Sequence, residues 1–224
     1  MPRNEYQAEL SDLREDVVGM SETVANRLEQ GLTALETNNE ALAQEVIDGD
    51  DEINQLYLDL EKQCTDLIAL QQPVASDLRF IAASFKIITD LERIADLATN
   101  LGEYALAADE ELFPGIDIQG LGEITLDMLA DSMAAYADED RELCYAVNDR
   151  DDELDRECEI ASDTVVRELI EGEKQIDDDE IEGFMEDVSR LLLTVRDLER
   201  VGDHTVNIAA RALYMIDNND ELIY

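Results

Sequence analysis

Apolar residues recur at intervals of three and four from Leu10 through Leu13, Val17, Met20, Val24, Leu28 and Leu32 to Leu35. That spacing predicts one buried face of a helix about eight turns long. Asn38-Asn39 breaks the pattern, and a second helix is expected from about Leu42 to Leu70. Gln71-Gln72-Pro73 ends it, because proline disfavours helix in the residue before it. Ser76 is a suitable N-cap for a third helix through Phe80, Ile81, Phe85, Ile88, Leu91, Ala95, Ala98 and Leu101. Phe113-Pro114-Gly115 and Gly120 to Gly122 are the strongest punctuation in the chain. Beyond them the plan repeats, with helices expected over about Ile124 to Tyr136, Glu142 to Leu169 and Glu182 to Met215, the last two joined by the polar segment Gly172 to Asp179. The expected fold is all-α: two tandem antiparallel three-helix bundles related by an internal repeat, at 1–112 and 123–224, with 113–122 as linker.

Composition agrees. Apolar residues make up 45% of the 224, aromatics only 5% with no Trp, and breakers are few at 10 Gly and 3 Pro. The net charge of −41 leaves no basic patch for nucleic acid or an anionic membrane. Adaptation to very high salt explains such an excess, since the Debye length falls to about 3 Å at 1 M. Cys64, Cys144 and Cys158 are odd in number and lack CxxC spacing, so they read as idle thiols of a reducing compartment. With no leader pattern and no apolar run near 18 residues, direct membrane insertion is not expected and the location is read as cytoplasmic.

Candidate chemistry lies in the repeat. Asp90-Leu91-Glu92-Arg93-Ile94-Ala95-Asp96 returns 107 positions later as Asp197-Leu198-Glu199-Arg200-Val201-Gly202-Asp203. Glu and Asp four apart share one helix face, and Asn100 and Asn207, four further on, extend each line of oxygens. These acids stand out because Leu78 to Leu106 and Arg190 to Ile216 hold few others.

Upstream, Asp50-Asp51-Glu52-Ile53-Asn54 resembles Asp151-Asp152-Glu153-Leu154-Asp155. Asp50 with Asp96, and Asn54 with Glu92, are equidistant from Pro73 in the expected turn; Asp151 with Asp203, and Asp155 with Glu199, centre on position 177. Antiparallel arms place such positions at one height. Carboxylates that close repel one another unless a cation or a base intervenes. Oxygen ligands suit hard cations such as Mg²⁺, Ca²⁺, Mn²⁺ or iron, with zinc also possible. The candidate metal ligands are therefore Asp50, Asn54, Glu92, Asp96 and Asn100, then Asp151, Asp155, Glu199, Asp203 and Asn207. The alternative is helix salt bridging, since Arg93 and Arg200 each stand three residues from two of the acids.

Other chemistry is poorly supplied. A carboxylate metalloenzyme of the bundle type draws on Glu-x-x-His pairs, and His204, whose counterpart in the first copy is Leu97, is the only histidine. No phosphate-cradling loop is present. Asp77-Leu78-Arg79 reads as a helix cap with a salt bridge. A metal-free helical scaffold stays open beside the metal-binding one.

The segment Gln71-Gln72-Pro73-Val74-Ala75-Ser76-Asp77-Leu78-Arg79, with Leu91-Glu92-Arg93-Ile94-Ala95-Asp96 and Leu198 to Ile208, resembles the PhoU family over residues 10 to 215. The resemblance implies metal clusters on E/DxxxD pairs, here Glu92 with Asp96, Glu199 with Asp203, and the facing Asp151 with Asp155. It also implies a non-enzymatic regulator of phosphate uptake and of the phosphate-starvation response. Its partners would be the ATPase subunit of a phosphate ABC transporter and, in bacteria, a sensor kinase. A homodimer is the expected assembly, and the acidity points to a haloarchaeal member. Two departures stand out: Asn54 leaves the first site one charge short, and Ala95 stands where the second copy has Gly202.

Overall fold

The computed structural model describes residues 3–71, 73–107, 115–171 and 181–223, with side chains at 70, 71 and 171 outside that description. Those residues form seven helices: α1 (Arg3–Thr37), α2 (Glu40–Asp48), α3 (Asp50–Gln71), α4 (Ala75–Ala107), α5 (Ile118–Asp138), α6 (Arg141–Glu171) and α7 (Ile181–Asp217). The expected punctuation from Phe113 to Pro114 and the connection Gly172 to Asp179 lie outside the described residues.

Asn38-Asn39 divides its labour. Asn38 takes the left-handed conformation (φ 48°) that ends α1, and the Asn39 side chain accepts from the Leu42 N–H at 3.2 Å to start α2. The helix expected over Leu42 to Leu70 is in fact two, α2 and α3, broken at Gly49. The cause is Arg27 of α1. Its guanidinium occupies the space where a Cβ of residue 49 would stand, donating to the Glu45 carbonyl at 2.9 Å and to Glu52 Oε2 at 3.0 Å. One arginine thus closes the end of α2 and holds the start of α3, where Asp50 is the first residue.

Likewise α5 begins at Ile118, earlier than the expected Ile124. Asp117 caps it by accepting from the Gly120 N–H at 2.8 Å, and a Cβ at Gly122 would run into the Leu32 side chain. Gly122 thus serves the close packing of α5 on α1, whereas Gly120 leaves room for the Asp117 cap carboxylate.

The bent arm α2–α3 with α1 and α4 makes the first three-helix bundle, and α5, α6 and α7 make the second. The two share one core. Helices α1, α4, α7 and α5 each pack on the next and close a central four-helix ring, with α3 outside against α1 and α4 and α6 outside against α5 and α7. Leu13, Val17, Leu28, Ile87, Leu91, Ile94, Leu154, Leu198, Val201 and Leu213 are buried in it. At one end Ser84 of α4 hydrogen-bonds Tyr136 of α5 at 2.8 Å inside the core. No described helix is long and apolar enough to cross a membrane.

Candidate metal centres

Hairpin α3–α4 presents the first cluster. Asp50 stands close enough to Glu92 and Asp96 to repel both. Burial pushes the Glu92 carboxyl up first, then the charge of Asp96, with Asp50 adding to it and Arg93 and His204 opposing. Asp96 is likewise raised by burial and by Asp50, against Arg200 and Arg93. Asn54 relieves part of this tension, its amide donating to Asp50 Oδ2 at 2.7 Å.

Hairpin α6–α7 presents the second cluster, which has four carboxylates and no amide. Asp151 is pushed up to about 7, by burial first and then by Asp155, Asp203, Asp152 and Glu199. Glu199 is raised by burial, Asp155 and Asp203. Asp203 is raised by burial and Asp155, against His204 and Arg200. Asp151 Oδ1 is buried with no hydrogen-bond partner. It is pressed against Gly202, where an added Cβ would lie 3.1 Å from that oxygen and would collide with Leu154. A buried carboxylate oxygen without a donor is costly. Carboxylate oxygens are the donor type that hard cations take. Among the described residues, no three His, Cys, Asp or Glu side chains converge closely enough to enclose an ion as they stand.

The arginines do not neutralise the clusters by contact. Arg200 reaches Asp197 at 3.4 Å, and Arg196 reaches the same carboxylate at 3.6 Å. Among the described residues no arginine pairs with Glu92, Asp96, Glu199 or Asp203.

Asn100 and Asn207 are the sequence candidates that the structure turns elsewhere. Asn100 Nδ2 donates to Asp197 Oδ2 at 3.1 Å, and Asn207 Nδ2 donates to Asp90 Oδ1 at 3.4 Å. Each amide crosses between α4 and α7 to a carboxylate of the other repeat. The line of oxygens from Glu92 through Asp96 drifts about 40° per four residues, enough to carry the third member away from the cluster and toward the neighbouring helix.

Asp90 and Asp197 are the functional candidates that the residue pattern did not single out. Two residues from Glu92 and Glu199, they point to the opposite side of their helices, where they are 8% and 1% exposed. Asp90 accepts from His204 Nδ1 at 2.9 Å; a carboxylate only accepts, so the imidazole carries a proton there. Asp197 accepts from Tyr104 Oη at 2.8 Å, and burial together with that bond pushes the Tyr104 hydroxyl up to about 12. The available signal was an aspartate at the same offset in both copies of an acid-poor stretch.

The comparisons with known proteins agree with this architecture. The PhoU domain family matches residues 17–105 and 118–212, one match per bundle. A Pseudomonas putida protein named phosphate-specific transport system accessory protein PhoU homolog is 31% identical over 96% of this chain and 82% of its own length. An Aquifex aeolicus protein of the same name is 40% identical over 66% of this chain and 67% of its own. The crystal structure of PhoU from Pseudomonas aeruginosa superposes with a TM-score of 0.87 at 29% identity, covering 96% of this chain and all of that one. Two repeats of one bundle, each carrying its own carboxylate cluster in a chain matched along nearly its whole length, make this protein a member of the PhoU family.

Proposed function

We propose that this chain is a metal-binding accessory regulator of phosphate transport, working without catalysis as an adaptor to a phosphate ABC transporter. The regulatory part rests on its family membership and on the names of its relatives. The metal-binding part is supported by one observation above all: Asp151, whose Oδ1 is buried and unpartnered and whose carboxyl is raised by the charges of Asp155, Asp203 and Glu199.

In this proposal Asp151, Asp155, Glu199 and Asp203 hold the second ion or cluster, and Asp50, Glu92 and Asp96 with the Asn54 carbonyl oxygen hold the first. A bound cation such as Mg²⁺, Mn²⁺, iron or zinc supplies the positive charge that these facing arms lack. Because Asn54 replaces a carboxylate, the first site is the weaker. The adaptor would present these loaded faces to the transporter's ATPase subunit, in the cytoplasm and as a homodimer, with a sensor kinase as a further partner where the organism has one. The three cysteines take no part. They are free and buried, and burial pushes Cys64 and Cys158 up to about 12 and Cys144 to about 11.

Elemental analysis of the purified chain tests the metal, and capture of transporter subunits from the native cell tests the adaptor. Glu92→Ala with Asp96→Ala should remove the ions of the first hairpin while leaving the helical content intact. Unchanged metal content in that double variant would show that those residues are not ligands.

A further inference from the structure

Nine of the ten large apolar side chains exposed among the described residues lie on hairpins α3–α4 and α6–α7, between the acids of each hairpin and its turn. Scattered exposure is ordinary, but exposure gathered on one stretch of each hairpin is what a partner-facing surface shows. The repeat sharpens the point. Val74 and Leu78 stand 18 and 14 residues before Glu92, and Ile181 and Met185 stand 18 and 14 before Glu199. They are 52% and 43% exposed in the first hairpin, and 43% and 51% in the second. The chain has thus duplicated an exposed apolar pair together with its acidic motif.

At 3.6 residues per turn, intervals of 14 and 18 return to the face that carries Glu92 or Glu199. Val74 belongs to the first turn of α4, its carbonyl accepting from the Leu78 N–H at 2.9 Å. Ile68 of α3, 18 residues after Asp50, and Val166 of α6, 15 after Asp151, fall near the faces of those acids. Each hairpin therefore presents an apolar patch on its acid-bearing side: Ile68, Val74 and Leu78 on one, Val166, Ile181 and Met185 on the other. The bonds from Asn100 to Asp197 and from Asn207 to Asp90 set α4 antiparallel to α7. The patches thus lie at opposite ends of that pair, about 50 Å apart at a rise of about 1.5 Å per residue.

We propose that these patches are paired docking points for a partner with twofold symmetry, which presents to both the same apolar segment flanked by lysine or arginine. An internal repeat offers two like surfaces, and one kind of segment fills both only if the partner supplies it twice. The flanking basic residues follow from Asp66 and Asp77 beside the first patch, and from Glu182 and Glu186 beside the second. Two copies of this chain meeting through the patches would instead set acid against acid. The proposal deepens the adaptor reading and rests on it: the transporter's ATPase subunit, presented as a pair, is the partner to be tried. It does not depend on whether the acid clusters hold ions.

The probe is the purified ATPase subunit of the native cell's phosphate transporter, immobilised as single subunits and as a tethered pair. Binding is read in about 2 M KCl, where nonspecific attraction to the acid coat is screened. The unaltered chain should bind the pair about tenfold or more tightly than the single subunit. Val74→Gln with Leu78→Gln, and Ile181→Gln with Met185→Gln, should each remove that advantage and leave the helical content unchanged, since all four side chains are exposed. Ile160→Gln, on the far face of α6, and Leu106→Gln, near the end of α4, should change binding by less than about twofold. Undiminished binding in both double variants overturns the patches and leaves the adaptor reading standing. Equal affinity for pair and single subunit, or sensitivity to one double variant alone, overturns the pairing. Should size exclusion show that the double variants split a larger assembly of the unaltered chain, the patches are contacts between copies and the proposed partner is wrong. No binding of the unaltered chain to either form overturns the patches and the adaptor reading together.

Discussion

Asp151 concentrates the electrostatic strain of the second cluster in one side chain. Its carboxyl is pushed up to about 7 from an ordinary 3.8 by burial and then by four neighbouring acids. A carboxyl raised in this way holds its proton longer in the folded chain than in the unfolded one. Its stabilisation is complete below the ordinary value and is lost as pH climbs through about 4 to 7. Glu199 and Asp203 shift in the same direction and add to the loss. In chelator, the melting temperature should therefore fall between about pH 4 and pH 7, and Asp151→Asn should flatten that decline. Added Mn²⁺ should restore the stability of the unaltered chain at the upper pH. A decline of the same slope in Asp151→Asn would place the strain elsewhere. At the first cluster, the Asn54 amide already donates to Asp50, so less tension is stored there.

Helix spacing is set by glycines whose surroundings differ sharply. Gly202 lets α7 lie against Leu154 and Asp151 of α6, and Leu154 is fully buried, so an added Cβ forces its side chain to shift within the core. Gly202→Ala should cost about 1–3 kcal/mol by overpacking and should loosen the second cluster. The first repeat has Ala95 at the corresponding position, 2% exposed, so its hairpin accommodates the Cβ that the second excludes. Gly31 of α1 is similarly confined, 3.1 Å from the Ala98 carbonyl oxygen for an added Cβ. Gly19, in the same helix, faces open space. Gly19→Ala should stabilise the protein by about 0.5–1 kcal/mol, because only the backbone entropy term changes. Denaturant titration of the two variants gives the order, and a destabilised Gly19→Ala would contradict this account of α1.

At the scale of the whole molecule, 57 acidic residues face 16 basic ones. Self-repulsion of that size opposes the compact state and is weakened by salt. Raising KCl from about 0.1 to 2 M should raise the melting temperature of the cation-free chain by several degrees, with most of the gain below about 1 M, where the Debye length shortens fastest. A melting temperature independent of KCl would show that the acid coat is already neutralised by contacts within the fold. The buried Asp90 and Asp197 are shielded from that salt by their own donors, so the α4–α7 contact should persist at both ends of the range.

Helical periodicity, the break at Asn38-Asn39 and the doubled acidic motif were enough to specify an all-α chain of two related bundles. They also specified that Asp50 faces Glu92 and Asp96, and that Asp151 and Asp155 face Glu199 and Asp203. The reason is local: in an antiparallel hairpin, positions equidistant from a turn come to one level whatever surrounds them. The bend at Gly49 and the turning of Asn100 and Asn207 away from the clusters needed the tertiary structure, whereas α5 starts early on a local cap by Asp117. Those other features involve partners far along the chain, namely Arg27, Asp197 and Asp90. No connecting turn fixes α4 against α7; the burial of their apolar faces in one shared core does. That packing, not the motif, made His204 and Tyr104 partners of buried carboxylates.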